Sequence, residues 1–244
     1  MPVTAHLAEL RGVRAGYGGV EVLHGVDLVV PHRSVVALLG PNGAGKTTAL
    51  RCLSGEVVPT AGCVHVAGTH VNGSRPEHLA RAGVCTIPEG RGVFPALTVR
   101  ENLQMATHGR TRSLDEIETR AYARFPRLGE RRHQRAGSLS GGEQQMLALA
   151  RGLSVDPSVL LLDELSMGLA PKVVRELYEQ VAQLADEGVS VLVVEQFATA
   201  VLAVANYVAV LVRGSIVLLG EPADVADGLS AAYLGEKMSV LTQL

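Results

Sequence analysis

Lys46, Thr47, Asp163 and Glu164 are the residues whose types and settings point to chemistry on a phosphate chain. Lys46 and Thr47 lie in Gly40-Pro41-Asn42-Gly43-Ala44-Gly45-Lys46-Thr47-Thr48, which fits the phosphate-binding pattern G-x-x-x-x-G-K-[ST]. Its glycines let the backbone wrap around phosphates with N–H groups pointing inward, where a Cβ would obstruct. Lys46 adds a mobile positive charge for the β- and γ-phosphates, and the Thr47 hydroxyl is the expected Mg²⁺ ligand. Asp163 and Glu164 follow the apolar run Val159-Leu160-Leu161-Leu162, so a strand delivers two carboxylates at its end. Adjacent strand residues face opposite ways, so the two acids are expected to have different tasks. One can hold the Mg²⁺ shell near Thr47, and the other can polarise an attacking water.

These groups need elements to aim them. Val35 to Leu39 is an apolar run of strand length before the glycine loop, and Thr48 to Leu53 can be helical behind it, its positive dipole end facing the phosphates. Leu7 to Val30 holds apolar segments separated by Gly16, Gly18, Gly19 and Gly25, which predicts small antiparallel strands. Tyr17, in that region, can stack on an adenine or simply pack in a turn. Ala61 to Gly68 reads as a strand closed by a turn, Pro76 to Ala82 as a short helix, and Val84 to Ile87 as a buried strand ending at Pro88.

From Glu89 to about Val155 the character turns helical. Thr98 with Glu101 has capping-box spacing ahead of a helix to Thr107, and Arg110 to Phe125 is charged and helical. Leu139-Ser140-Gly141-Gly142-Glu143-Gln144-Gln145 opens a helix through Leu153. Ser140 and Glu143 again have capping-box spacing, and the small turn is a cap, an anion site, or both. Arg131 to Arg135 is a basic cluster that suits a solvated face or a loop beside phosphate. Pro171 to Glu187 is amphipathic, and Val189 to Val194 is a buried strand ending at Glu195-Gln196. Val208 to Val212 and Ile216 to Leu219, joined at Arg213-Gly214-Ser215, read as a hairpin. The strand–helix alternation implies an α/β core with a parallel sheet.

Composition narrows the function classes. The chain has 244 residues, 47% of them hydrophobic, enough for a substantial globular core. Aromatics are 3% with no Trp, which argues against a base-stacking surface for single strands. Twenty-two basic against 24 acidic residues give no electrostatic case for a nucleic-acid partner. Cys52, Cys63 and Cys85 lack metal-site spacing and read as reduced thiols of a cytosolic protein. Met1 to His6 shows no secretory signal. Phe197 to Val212 is shorter than the roughly 20 apolar residues a spanning helix needs. A buried helix followed by a strand is expected there, and any membrane association is expected to run through a partner.

The phosphate loop, Leu139-Ser140-Gly141-Gly142-Glu143-Gln144 and Leu160-Leu161-Leu162-Asp163-Glu164 occur in an order and spacing that resemble the ATP-binding subunit of an ABC transporter. Ile87-Pro88-Glu89-Gly90-Arg91-Gly92-Val93-Phe94-Pro95, Phe125-Pro126-Arg127-Leu128, Leu169-Ala170-Pro171, Val194-Glu195-Gln196 and Ala232-Tyr233-Leu234-Gly235 narrow it to the LivF-type ATPase of branched-chain amino-acid importers. Urea and short-chain amide importers use closely similar subunits. A soluble ABC ATPase acting on DNA or ribosomes usually carries two cassettes or long insertions, and this chain has neither.

The resemblance implies a P-loop NTPase (RecA-like) core with an antiparallel β-subdomain in residues 1–88 and 156–244, and a helical subdomain inserted at 89–155. It implies a cytoplasmic-face ATPase beside a LivG-type sister and two integral-membrane permease subunits, served indirectly by a substrate-binding protein. Two ATPs would be sandwiched between the ATPases, each contacted by the other subunit's Ser140, Gly141, Gly142 and Glu143. Glu164 would be the general base. Lys46 and Gln196 would hold the γ-phosphate, Thr47, Asp163 and Glu89 would surround Mg²⁺, and Tyr17 would contact adenine. The loop from Gly90 to Thr98 would dock a permease helix, with Phe94 as apolar anchor. Glu89 stands where Gln is usual and Gln196 where His is usual, both as in the LivF type. Leu165 stands where the wider family has Pro, which bears on the rigidity of Ser166-Met167-Gly168.

Overall fold

Two 12-residue strands, β1 (His6–Tyr17) and β2 (Val20–Pro31), open the chain as a hairpin. The computed structural model describes residues 6–90, 92–107, 112–197, 199–226, 228, 229 and 232. Met1 to Ala5, Arg91, Arg110 and Tyr233-Leu234-Gly235 therefore lie outside the described residues. Gly18 and Gly19, with φ of 56° and 84°, form the turn of this antiparallel pair as expected, while Gly16 and Gly25 lie inside the strands and do not break them. Gly12 and Gly25 take left-handed φ of 56° and 84° where the β1–β2 register slips, so the extra residues are absorbed as bulges and the strands run on.

The chain continues through β3 (Val35–Leu39), α1 (Lys46–Leu53), β4 (Ala61–Val66), β5 (Thr69–His70), α2 (Pro76–Arg81) and β6 (Val84–Ile87). Helices follow: α3 (Val99–Gln104), α4 (Leu114–Arg124), α5 (Pro126–Glu130) and α6 (Gly141–Leu153). The last stretch is β7 (Val159–Asp163), α7 (Pro171–Asp186), β8 (Ser190–Glu195), β9 (Tyr207–Val212), β10 (Ser215–Gly220) and α8 (Pro222–Ala226).

A four-stranded antiparallel sheet has the order β2-β1-β4-β5, and a six-stranded sheet the order β10-β9-β3-β8-β7-β6. In the larger sheet β9, β3, β8, β7 and β6 are parallel, and only β10 runs antiparallel. Strands β3, β7 and β8 are buried at every position, as expected where both faces are covered. Alternation sorts their side chains into two cores. Val36, Leu38, Leu161, Leu192 and Val194 pack with α1 and the antiparallel sheet. Val35, Ala37, Leu160, Leu162 and Val193 pack with α3 to α7.

The caps expected at Thr98 and Ser140 form, and Ser113 makes a third that was not expected. Thr98, Ser113 and Ser140 each accept from the backbone N–H three residues on, and Glu101, Glu116 and Glu143 accept in return. Helix α7 buries Val174, Leu177, Tyr178, Val181, Leu184 and Ala185, one stripe at helical spacing. The helix expected from Phe197 is not found among the described residues. Residues 199–204 form turns closed by Val204 and Ala205 N–H bonds to the Val201 carbonyl, and Val201 alone of these is fully buried. Asn206 then accepts from Val35 N at 2.8 Å, seating the chain for β9.

Candidate nucleotide site

In the loop between β3 and α1, Gly40 and Gly45 leave no room for a side chain. A Cβ on Gly40 would lie 2.1 Å from the Leu211 carbonyl oxygen, and one on Gly45 would lie 2.8 Å from Leu23 Cδ2. Gly43 and Gly45 have φ of 76° and 107°. The loop closes on itself where Ala44 N donates to the Pro41 carbonyl at 3.2 Å. It is pinned from outside by Gly214 N, which donates to the Ala44 carbonyl at 2.8 Å from the β9–β10 turn. Ala44 is buried and Asn42 exposed. No side chain caps α1, so its first-turn N–H groups remain for an anionic ligand.

Lys46 is buried, and its ammonium donates to the carbonyls of Gly40 at 2.9 Å and Pro41 at 3.2 Å. It lies 3.9 Å from Glu164 Oε1. Thr47 Oγ1 donates to Asp163 Oδ1 at 3.4 Å. Thr47, Asp163 and Glu89 line one cavity of about 280 Å³, with Arg51, Thr86 and Pro88. Burial pushes Asp163 up, partly offset by the Thr47 hydrogen bond and reinforced by Glu89. Burial also pushes Glu164 up, against the pull of Lys46. The same desolvation lowers Lys46. Three acids thus share the site with two cations, Lys46 and Arg51, and its net negative charge favours added positive charge.

Simple strand alternation does not describe the two acids. Glu164 lies beyond the end of β7 with φ of 49°, a left-handed conformation that non-glycine residues rarely take. That backbone twist lets both carboxylates converge on the phosphate loop from one strand end.

Tyr17 is 45% exposed at the end of β1. Its hydroxyl is 3.5 Å from Thr48 Oγ1 and accepts from Arg51 Nη1 at 3.5 Å, so its ring stands beside α1. Gln196 follows β8, whose Glu195 pairs in register with Leu39. This places it at the same sheet edge as the phosphate loop. Ser140 to Glu143 form a separate unit: Ser140 Oγ donates to Glu143 at 2.7 Å, and Arg131 Nε reaches the same carboxylate at 2.9 Å. Gly142 has no room for a side chain, since a Cβ there would lie 2.3 Å from Val173 Cγ1. Among the described residues, no hydrogen bond or ion pair joins this cap to the phosphate loop.

The ABC transporter family model matches residues 23–166. The chain is 42% identical to the high-affinity branched-chain amino acid transport ATP-binding protein BraG of Pseudomonas aeruginosa, over 90% of this chain and 95% of that one. This chain belongs to the ABC transporter ATPases. It is also 32% identical to BraF of the same organism, over 94% and 98% of the two chains. The ADP conformation of MJ1267, an ATP-binding cassette of an ABC transporter, has the same fold at a TM-score of 0.84 and 23% identity, covering 95% of this chain and 99% of that one.

Several parts of this ABC ATPase's site had no local signal. Gly214 and Glu195 come beside it through contacts between distant segments, Tyr178 contacts Glu195 from α7, and Arg51 lies one turn along α1 from Thr47. Gly214 was legible only as a turn residue. In the structure, Arg213 and Gly214 both have positive φ, as a tight two-residue hairpin requires, and the turn also braces the phosphate loop. Leu165, placed where the wider family has Pro, is 2% exposed and belongs to the core on the helical side of the sheet. A larger cleft of about 870 Å³ lies between α4 and the end of α7. It is crossed by the ion pairs Arg120–Asp156 and Arg124–Glu187 and shares no lining residue with the phosphate site.

Proposed function

We propose that this ATPase hydrolyses ATP at the cytoplasmic face of the membrane to drive import of branched-chain amino acids through separate permease subunits. The observation that carries this reading is the 42% identity to BraG across nearly the whole of both chains, against 32% to BraF. That one organism has two such proteins, named for the same transport, supports pairing of this chain with a BraF- or LivG-like sister. Two integral-membrane permeases would sit beneath the pair, supplied by a substrate-binding protein. Among the described residues no helix is long and apolar enough to cross a membrane.

In this reading Tyr17 packs against adenine, and residues 40–48 cradle the phosphates with backbone N–H groups and Lys46. Thr47, Asp163 and Glu89 form an all-oxygen set suited to Mg²⁺. Among the described residues no three His, Cys, Asp or Glu side chains form a metal cage. An ion at Thr47, Asp163 and Glu89 would be held jointly by protein and phosphate oxygens and would neutralise phosphate charge. Glu164 accepts the proton of the attacking water, and Gln196 donates an amide N–H to a γ-phosphate oxygen. Ser140, Gly141, Gly142 and Glu143 face the sister subunit's ATP, with the helical insertion at 89–155 presenting them to it.

The test is reconstitution of this ATPase with its sister and permeases in lipid vesicles loaded with ATP and Mg²⁺ on the ATPase side. Labelled leucine, isoleucine and valine, added with the binding protein, should be taken up, and Glu164→Gln should abolish uptake. ATP-driven uptake of urea or a short-chain amide in place of leucine would overturn the substrate assignment.

A further inference from the structure

Glu195 is a carboxylate held at 2% exposure at the end of β8, and the phosphate chemistry above makes no use of it. Its neighbours in the strand, Val193 and Val194, are apolar, and among the described residues Glu195 forms no ion pair. An apolar side chain would fill this position without the desolvation penalty, so a specific contact must account for the carboxylate. Two contacts are present, both to Oε1. The Tyr178 hydroxyl donates from α7 at 2.5 Å, and the Ser166 backbone N–H donates at 2.9 Å. Tyr178 is itself 2% exposed, and burial followed by the Glu195 charge holds its phenol well above the usual range, so it stays protonated as a donor.

These contacts matter because of what lies between them. Glu164 is held at φ of 49°, which is unfavourable for a residue with a side chain and persists only where its surroundings enforce it. On its near side, Glu164 N donates to the Val194 carbonyl at 2.9 Å. Two residues on, Ser166 N is taken by Glu195. Consecutive residues at the end of β8 thus grip the turn on both sides of Leu165, which has no proline ring to restrict it. Gln196 is the next residue along.

We infer that Glu195, fixed by Tyr178, is a positioning residue that holds the 164–168 turn and Gln196 in one arrangement, so that Glu164 is aimed at the γ-phosphate. This rests on the reading of Glu164 as general base. A misplacement of about 1 Å at a reacting group can cost on the order of 10²-fold in rate.

Steady-state ATP hydrolysis in the assembled transporter tests this with Glu195→Leu, Glu195→Gln, Tyr178→Phe and, in parallel, Glu164→Gln. Glu195→Leu should lower kcat on the order of 10²-fold with KM for ATP within about twofold, because the hydrogen bonds and ion pair of Lys46 run to Gly40, Pro41 and Glu164 and are kept. Tyr178→Phe should lower kcat roughly tenfold with the same split. Glu195→Gln keeps the Oε1 acceptor and should recover most of the loss seen in Glu195→Leu. An unchanged kcat in both Glu195→Leu and Tyr178→Phe overturns the proposal, as does a rise in KM with kcat kept. Should Glu195→Leu fail to assemble, the kcat of Tyr178→Phe decides alone. Near-parent turnover in Glu164→Gln would instead sink the general-base reading, and the positioning role would fall with it.

Discussion

Thr47 Oγ1 donates to Asp163 Oδ1 at 3.4 Å, joining the start of α1 to the end of β7 across 116 residues of chain. Beside it, Lys46 approaches Glu164 at 3.9 Å. Two adjacent residues of the phosphate loop therefore meet two adjacent residues of the acidic turn, one pair suited to a cation and the other to a phosphate and its attacking water. The division of labour between the acids follows from these partners and can be separated by mutation.

Glu164→Gln retains the shape of the side chain and removes the proposed base. ATP binding should persist with affinity within a few fold, while turnover falls on the order of 10²- to 10⁴-fold. Equilibrium binding of a fluorescent ATP analogue, set beside phosphate release, separates the two effects. Asp163→Asn should differ, weakening ATP binding most at limiting Mg²⁺.

Gln196 has no proton to shuttle near neutral pH, unlike a histidine of ordinary pKa near 6.5. Gln196→Ala should lower kcat by removing the proposed γ-phosphate contact. Gln196→His should remain active and gain a pH dependence between about 6 and 7 that the parent lacks. Rate profiles at saturating ATP, parent and variant side by side, discriminate this from titration of the chain's own histidines. An unchanged rate in Gln196→Ala would make Glu89 the next candidate for sensing the γ-phosphate.

Phe94 is 43% exposed although its backbone is fixed from both sides by the fully buried Asn102, at 2.8 Å and 3.0 Å. The Arg151 guanidinium sits 4.7 Å from the ring centroid and also donates to the Gly92 carbonyl. Phe94→Ala should therefore cost only about 0.5–1 kcal/mol of stability, the size of an exposed cation–π contact. ATP binding should be preserved while association with the permeases and transport fall. Loss of ATP binding by the isolated subunit would show that Phe94 serves the fold and not docking.

The capping glutamates carry a pH dependence. Burial raises Glu143, but hydrogen bonds from Ser140 and the charges of Arg131 and Arg127 outweigh it and hold the carboxyl below its usual range. Glu101 and Glu116 are lowered chiefly by backbone hydrogen bonds from Thr98 and Ser113. A group with a depressed native pKa contributes stability that is present above its unfolded value, about 4.3 for Glu, and lost as pH falls through the native value. Urea denaturation should thus show falling stability below about pH 4.5. Ser140→Ala should cost roughly 0.5–2 kcal/mol at pH 7 and flatten part of that acid dependence.

What the sequence determined by itself was whatever neighbouring residues settle among themselves. The phosphate loop needs glycines at fixed offsets, each capping box closes over three residues, and α7 is marked by an apolar stripe. The all-apolar runs of β3, β7 and β8 likewise announce strands covered on both faces. The tertiary structure decided what depends on pairing between distant segments. Bulges at Gly12 and Gly25 keep β1 and β2 running as long strands, through Gly25 that looked like a break, because their register is set by partner strands. Residues 199–204 turn instead of forming a helix, since the chain must deliver Asn206 to Val35 and place β9 beside β3. Glu164 leaves the alternation of its strand because β8 grips the turn on both sides, through the Val194 carbonyl and the Glu195 side chain. Local propensity cannot encode that grip. Its two halves lie some 30 residues apart and meet only when β7 and β8 align in one sheet, with Asp163 opposite Val194.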